Sequence, residues 1–167
     1  MPTVVENALT LTFPPTWDLV KWDDHPLHRA ISGRAFKGVD VVCSSPDGPV
    51  VVEIKDYRTT GQPPPTTLPE VVDAKVRGTL LALGWAEPNH IVRTDLNGLE
   101  THFRSNTHVK VVLWVELAFS PNPGALLALK TEIERQLAWM HGRASVLVVD
   151  HHSGPHAIPG LACILQP

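Results

Sequence analysis

Apolar and polar positions along the chain follow two patterns, one typical of strands and one typical of helices. Near-continuous runs of Val, Ile and Leu, bounded by Gly, Pro, Asp or Ser, are typical of buried strands. After Pro69 and again after Pro123, apolar residues instead recur at helical spacing. The predicted strands are Leu9–Phe13 at the edge of a sheet, Val39–Ser44, Val50–Tyr57, Val109–Leu117, 145–150 and 160–165.

The order of these elements predicts the fold class. A hairpin is followed by helix, strand, helix and strand, and this alternation is typical of an α/β (mixed α+β) fold in which helices cover both faces of a central mixed sheet. A chain of 167 residues fits a single domain over 1–167. Residues 17–33 predict a short strand and then a short helix that begins at Asp24 as its N-cap. The polar stretch 87–108 predicts a loop.

The predicted hairpin carries three charged residues within its apolar runs. If Ser44 pairs with Pro49 across the turn, the numbers of paired residues sum to 93, and Asp40 lies opposite Glu53. Directly opposed residues project from the same face with Cβ atoms about 5 Å apart. Lys55 projects from that face too, because side chains alternate along a strand.

Two carboxylates at this separation repel each other unless a cation lies between them. A hard divalent ion such as Mg²⁺ or Mn²⁺ meets this need with Asp40 and Glu53 as ligands, and the carbonyl of Ile54 could add another. Lys55 beside the ion would orient or deprotonate a water or stabilise a developing negative charge. The sequence therefore predicts a magnesium or manganese site for phosphodiester hydrolysis. The alternative is a half-exposed hairpin with a solvated salt bridge.

Asp40 followed by Glu53-Ile54-Lys55 on the next strand resembles the PD-(D/E)XK nuclease superfamily, although Val39 stands where the motif's name has Pro. The stretch from Trp22 to Arg58 is similar to a group of small bacterial proteins of that superfamily. The resemblance implies a restriction-endonuclease-like fold, metal binding by Asp40 and Glu53, and water activation by Lys55. It favours DNA over RNA as the substrate, in phage defence, repair or mobile-element biology.

The same resemblance implies further residues around the site. An additional acidic ligand from the preceding helix is expected, with Asp24 as the first candidate and Asp23 as the second. Arg58, Lys75 and Arg77 are candidates for contact with a substrate phosphate. The plain alternatives are a surface arginine at position 58 and solvated ion pairs of the helix residues with Glu70 or Asp73. Histidines 151, 152 and 156 suggest a metal cluster by composition only, so loop roles are expected for them.

Composition limits the classes of partner. The net charge is −3 and the pI about 6.3, whereas a non-specific nucleic-acid binder is usually basic. A homodimer or a partner protein would therefore supply basic surface, and a non-catalytic binding or assembly module is the rival function. Cys43 and Cys163 lie in apolar runs and are expected to be buried free thiols. The N-terminus lacks signal-peptide features and no apolar run approaches about 20 residues, so a cytoplasmic protein without a membrane partner is expected.

Overall fold

The computed structural model describes residues 1–26, 28–29, 37–86, 99, 102–103, 108–119 and 123–166. Within these ranges two sheets and several helices are defined, and a 3₁₀ turn at Leu137–Met140 follows the second long helix. The strands are β1 (Thr3–Glu6), β2 (Leu9–Thr12), β3 (Asp18–Lys21), β4 (Val41–Ser45), β5 (Gly48–Asp56), β6 (Val109–Glu116), β7 (Ala144–Val149) and β8 (Ala162–Leu165). The helices are α1 (Leu68–Ala86), α2 (Pro123–Gln136) and the four-residue α3 (Gly154–Ala157).

The larger sheet is mixed, as the order of elements predicts. Its strand order is β3-β4-β5-β6-β7, and β4 runs antiparallel to both of its neighbours, β3 and β5. Strands β5, β6 and β7 are parallel, and α1 and α2 each lie in one of the two crossover connections. The mixed α/β class predicted from the sequence is therefore confirmed.

Alternating side chains of the central strands form a separate core on each face of this sheet. On one face, Val51 and Leu113 pack with apolar residues of α1 and with Ile133 of α2. On the other face, Val52 and Trp114 pack against the small sheet and residues around α3. A helix lies on each face, but the small sheet supplies most of the cover on the second face. Central strands buried on both faces explain why their sequences are almost continuously apolar.

The small sheet has the order β1-β2-β8, so the strand that begins at Leu9 is its central strand. The prediction of an edge strand there was wrong, because β8 pairs with β2 from about 150 residues farther along the chain. In the segment predicted as a loop, residues 99, 102 and 103 are helical, and the others at 87–107 lie outside the described residues. Leu99 and Phe103 are both buried in the core on the α1 and α2 side of the larger sheet.

The segment after Asp24, the two cysteines and the long helices can be compared with their predictions. Residues 26, 28 and 29 are helical, in keeping with a helix after Asp24, whereas the predicted end at Gly33 lies outside the described residues. Both cysteines are free thiols, Cys43 fully buried and Cys163 partly buried. In the described ranges no helix combines the length and the apolar character needed to cross a bilayer.

The segment that leads into β4 is docked directly on α1. The backbone N–H of Val39 donates to Oγ1 of Thr79 at 3.0 Å, and the Thr79 hydroxyl donates to the Lys75 carbonyl at 2.9 Å. A Cβ atom added at Gly78 would lie only 2.1 Å from the carbonyl oxygen of Lys37. Glycine at position 78 therefore allows this backbone to approach the helix, and the approach fixes the position of Asp40.

We expect Gly78→Ala to lower the free energy of unfolding by about 1–3 kcal/mol, because the added methyl group meets backbone rather than a movable side chain. Gly84→Ala in the same helix is the matched control. Apart from its chain neighbours and the adjacent helix backbone, no atom of the described residues lies within 4 Å of its Cβ position, so the substitution should raise stability by about 1 kcal/mol through helix propensity. Urea denaturation of both variants measures the difference, and equal stabilisation by the two alanines would contradict the close contact.

Candidate active site

The hairpin of β4 and β5 has the register that the sequence predicts. Val41 pairs with Val52 and Ser44 with Pro49, so paired numbers sum to 93. One further pair, Ser45 with Gly48, shortens the turn to two residues, and the Ser45 hydroxyl donates to the Gly48 carbonyl at 2.8 Å. Because the sum is unchanged, the expected assignment of side chains to the two faces of the sheet is retained.

The backbone ladder between β4 and β5 stops one residue before the predicted charged pair. Asp40 lies just outside β4, and its Oδ2 accepts a hydrogen bond from the backbone N–H of Ile54 at 2.6 Å. The carbonyl of Asp40 accepts from the N–H of Trp22 at 2.8 Å. The Asp40 carboxylate thus takes the position of a strand partner for Ile54, which holds it beside Glu53 instead of in solvent.

A lysine of α1 lies between the two carboxylates. Nζ of Lys75 is 3.1 Å from Oδ1 of Asp40, and it is 2.7 Å and 2.9 Å from Oε1 and Oε2 of Glu53. Nζ of Lys55 lies 2.5 Å from the same Oε1. The acids project from the same face of the sheet, as predicted, and Lys55 joins them. Lys75, predicted only as a substrate contact, completes a cluster of two acids and two lysines.

The two acids of this cluster are buried, so their charges need partners of opposite sign. Asp40 is 5% exposed and Glu53 is 1% exposed, so the alternative of a solvated surface salt bridge does not describe them. The side chains of Lys75 and Lys55 are 15% and 27% exposed and connect the acids to solvent. With both acids ionised and both lysines protonated, the cluster is electrically neutral. The repulsion that suggested a cation is therefore balanced here by ammonium groups.

The pKa values follow from the same contacts. Burial raises the pKa of Glu53 to about 7, with a contribution from the Asp40 charge, although Lys75 and Lys55 act in the opposite direction. For Lys75, burial lowers the pKa, but the charges of Glu53 and Asp40 outweigh it and the net pKa is raised. Lys75 is therefore cationic at neutral pH, and Glu53 is the member of the cluster that exchanges a proton near neutrality.

The oxygen atoms of the cluster fit a hard divalent cation. Oε1 of Glu53 is buried, and its partners within the described residues are two ammonium groups, Lys55 at 2.5 Å and Lys75 at 2.7 Å, so it already serves as a ligand for cations. The N–H and C=O of one strand residue point to the same side, so the Ile54 carbonyl faces the Asp40 side, where the ladder has ended. Two carboxylates, with water and a phosphate oxygen to complete the shell, are a sufficient ligand set for Mg²⁺ or Mn²⁺.

The expected third acidic ligand is not with them. Within the described ranges no group of three or more His, Cys, Asp or Glu side chains could hold a metal ion. Asp24 is exposed and forms ion pairs with Lys21 at 3.1 Å and Arg29 at 3.0 Å, so the structure does not bring it together with Asp40 and Glu53. For Asp23, burial raises the pKa, and the charges of Glu6, Asp24 and Asp40 act in the same direction, whereas Lys21 opposes them.

Two of the predicted phosphate contacts are engaged elsewhere. The guanidinium of Arg58 binds Asp56 through Nε at 3.0 Å and Nη2 at 2.8 Å, and it also donates to the carbonyls of Ala8 and Gln166. It therefore joins the end of β5 to the small sheet. Its assignment as a phosphate contact is not supported, because chain groups already use its donors.

Arg77 lies on another side of α1 from Lys75, since two helical positions differ by about 200°. Its Nε donates to Asp73 at 2.8 Å, and the guanidinium lies 4.2 Å from the centre of the Trp139 ring. The alternative given by the sequence, an ion pair with Asp73, is the one observed. Lys75 is thus the helix residue that reaches the cluster.

The histidines have local roles in the described residues. Nδ1 of His151 lies 2.7 Å from Oε2 of the buried Glu116, whose Oε1 accepts from the indole N–H of Trp114 at 2.7 Å. The rings of His151 and His152 lie 3.7 Å apart because both residues are in a turn after β7 rather than in a strand. Near the acids, His25 stacks on Trp22 with ring centroids 5.5 Å apart.

Comparison of the chain with protein-family models, with curated proteins and with solved structures found no match. The geometry of the cluster and the chemistry of its residues therefore provide the basis for assigning a function.

The pH dependence of stability tests the environment of Glu53. Its pKa is about 7 in the folded chain and 4.5 in an unstructured peptide, so its contribution is fully present below pH 4.5 and is lost as pH rises through 7. Between pH 5 and pH 8 in EDTA, the wild-type free energy of unfolding should fall by about 1–3 kcal/mol relative to Glu53→Gln. Urea titrations at each pH measure this, and parallel pH curves for the two proteins would contradict it.

Proposed function

We propose that this protein is a metal-dependent nuclease that hydrolyses phosphodiester bonds at the Asp40–Glu53 cluster. One observation carries the proposal: carboxylates from both arms of the hairpin converge on a single cationic group, the Lys75 ammonium, at distances of 2.7–3.1 Å. Buried acids that hold one cation between them are a costly arrangement, and strongly perturbed pKa values of this kind concentrate at functional sites.

Each member of the cluster has a distinct role in the proposal. Asp40 and Glu53 hold Mg²⁺ or Mn²⁺, with the Ile54 carbonyl as a further oxygen ligand. When bound, such an ion supplies charge stabilisation at the phosphate and a bound water of lowered pKa. Lys55 is the more exposed of the two lysines, and its ammonium orients the attacking water or stabilises the charge that develops on the phosphate. The hydrogen bond from Ile54 to Asp40 keeps the acid in place.

The substrate is proposed to be DNA in preference to RNA, on the resemblance to the PD-(D/E)XK superfamily alone. A role in phage defence, repair or mobile-element biology has the same basis. Arg58 and Arg77 are paired within the chain, so among the described residues Lys55 and Lys75 are the cations proposed to contact the phosphate. Further basic surface would come from a second copy or a partner protein, because the net charge of the chain is −3.

A second candidate function is a binding or assembly module that keeps the site without catalysis. The neutrality of the cluster favours it, since two lysines already balance both acids and no ion is required for charge compensation. In that case Lys75 is a structural contact between α1 and the hairpin. The two candidates differ in whether divalent ions bind and whether Lys55 affects phosphodiester cleavage.

The nuclease proposal predicts cleavage that requires both a divalent ion and Lys55. End-labelled single-stranded, duplex and branched DNA and RNA would be incubated with purified protein in Mg²⁺ or Mn²⁺, with EDTA as the metal-free control. We expect Lys55→Ala to lower the cleavage rate by about 100-fold or more, as for loss of a proton-transfer or charge-stabilising group. Lys130→Ala removes an equivalent charge at an exposed pair with Glu134 and should leave the rate unchanged.

Equal cleavage by the wild type and Lys55→Ala would show that a contaminating enzyme is responsible. If neither protein cleaves any of the substrates in either ion, the assembly module becomes the better interpretation. If Asp40→Asn retains cleavage activity, the assignment of Asp40 as a metal ligand is contradicted, even if substitution of Lys55 lowers the cleavage rate.

A further inference from the structure

We propose that Lys75 is a built-in competitor of the divalent cation, and that binding of the ion displaces its ammonium from the two carboxylates. This inference rests on the proposed function, because it concerns the same ligand set. It adds an exchange step between two cationic groups, in which one is part of the chain and the other comes from solution.

The competition follows from the atoms that Lys75 contacts. Its Nζ lies within 3.1 Å of Oδ1 of Asp40 and of both carboxylate oxygens of Glu53. A Mg²⁺ ion needs oxygen ligands at about 2.1 Å in near-octahedral geometry. If the ion bound to these oxygens while the Lys75 ammonium stayed in place, two positive charges would be neighbours. Their repulsion is strong in a buried environment. The two cations therefore exclude each other from these oxygens.

Lys75 can leave without a rearrangement of the fold. Its side chain is 15% exposed, and its four-carbon stem allows the ammonium to move toward solvent by rotation of single bonds. The helix remains anchored by Leu68, Val72 and Val76, which are fully buried in the core beneath α1. Exchange thus requires movement of one side chain, and the displaced ammonium becomes available to a phosphate anion.

Lys55 differs in a way that provides an internal comparison. Its Nζ contacts Oε1 of Glu53, and no ion pair joins it to Asp40 in the described part of the chain. Its side chain is also more exposed. An ion between Asp40 and Glu53 therefore conflicts less with Lys55 than with Lys75, and substitution of Lys55 should change ion affinity less.

Calorimetric titration with Mn²⁺, in the absence of nucleic acid and at pH 8.5 where Glu53 is ionised, tests the exchange. Lys75→Gln retains a hydrogen-bond donor but removes the charge, and we expect it to bind Mn²⁺ about tenfold more tightly than the wild type. Lys55→Gln should give a smaller gain, and Lys130→Gln should equal the wild type. Asp40→Asn in the Lys75→Gln background should abolish the tight binding.

The outcomes separate this inference from the proposed function. If the wild type binds Mn²⁺ at the Asp40-dependent site and Lys75→Gln binds no more tightly, the exchange is overturned and the metal site stands. If neither protein binds Mn²⁺, the metal-dependent nuclease proposal fails, and the exchange fails with it.

A second measurement uses the wild-type protein and so does not depend on the folding of a variant. Lysine acetylation by acetic anhydride would be followed by mass spectrometry with and without Mg²⁺. We expect the acetylation rate of Lys75 to rise by about fivefold or more with Mg²⁺, because the ammonium leaves its carboxylate partners, while Lys130 does not change. An equal or lower rate at Lys75 in Mg²⁺ would show that the lysine keeps its position, and would overturn the exchange.

Discussion

The contact of one ammonium with two buried carboxylates is the interaction on which the site depends. Without Lys75, Asp40 and Glu53 would face each other at the end of a hairpin, and in the described part of the chain Lys55 alone would form an ion pair with them. Loss of one partner from a buried charge cluster costs several kcal/mol, because the remaining charge is left desolvated. The contact also joins α1 to the hairpin, in addition to the apolar core residues that anchor the helix.

The larger sheet positions this contact because the β4–β5 ladder ends before the β5–β6 ladder does. Strand β5 remains paired with β6 through Asp56, whereas its pairing with β4 ends at Val52. The last residues of β5 are therefore hydrogen-bonded to β6 on one side, whereas on the other side they have no partner strand from the hairpin. The Asp40 side chain fills the open side through the Ile54 N–H, and close docking at Gly78 positions the segment that carries Asp40. The backbone therefore brings the two carboxylates together without a bound ion.

Local pattern was sufficient to predict the part of the site within the hairpin. Turn chemistry set the register, and strand alternation placed Glu53 and Lys55 on one face with Asp40. The role of Lys75 could not be derived, because it depends on how α1 packs across the sheet. The partners of Arg58 could not be predicted either, because they include carbonyls of Ala8 and Gln166, 50 and 108 residues away in sequence. A helical pattern locates a side chain on a face but does not identify its partner.

A crystal of the protein soaked in Mn²⁺, with anomalous diffraction data collected at the manganese edge, tests the central claim most directly. The Asp40–Glu53 site should show a single anomalous peak within about 2.2 Å of an oxygen from each carboxylate, with the Lys75 ammonium moved away. A well-occupied manganese elsewhere, with Lys75 still bridging the two acids, would contradict the assignment of this cluster as a metal centre.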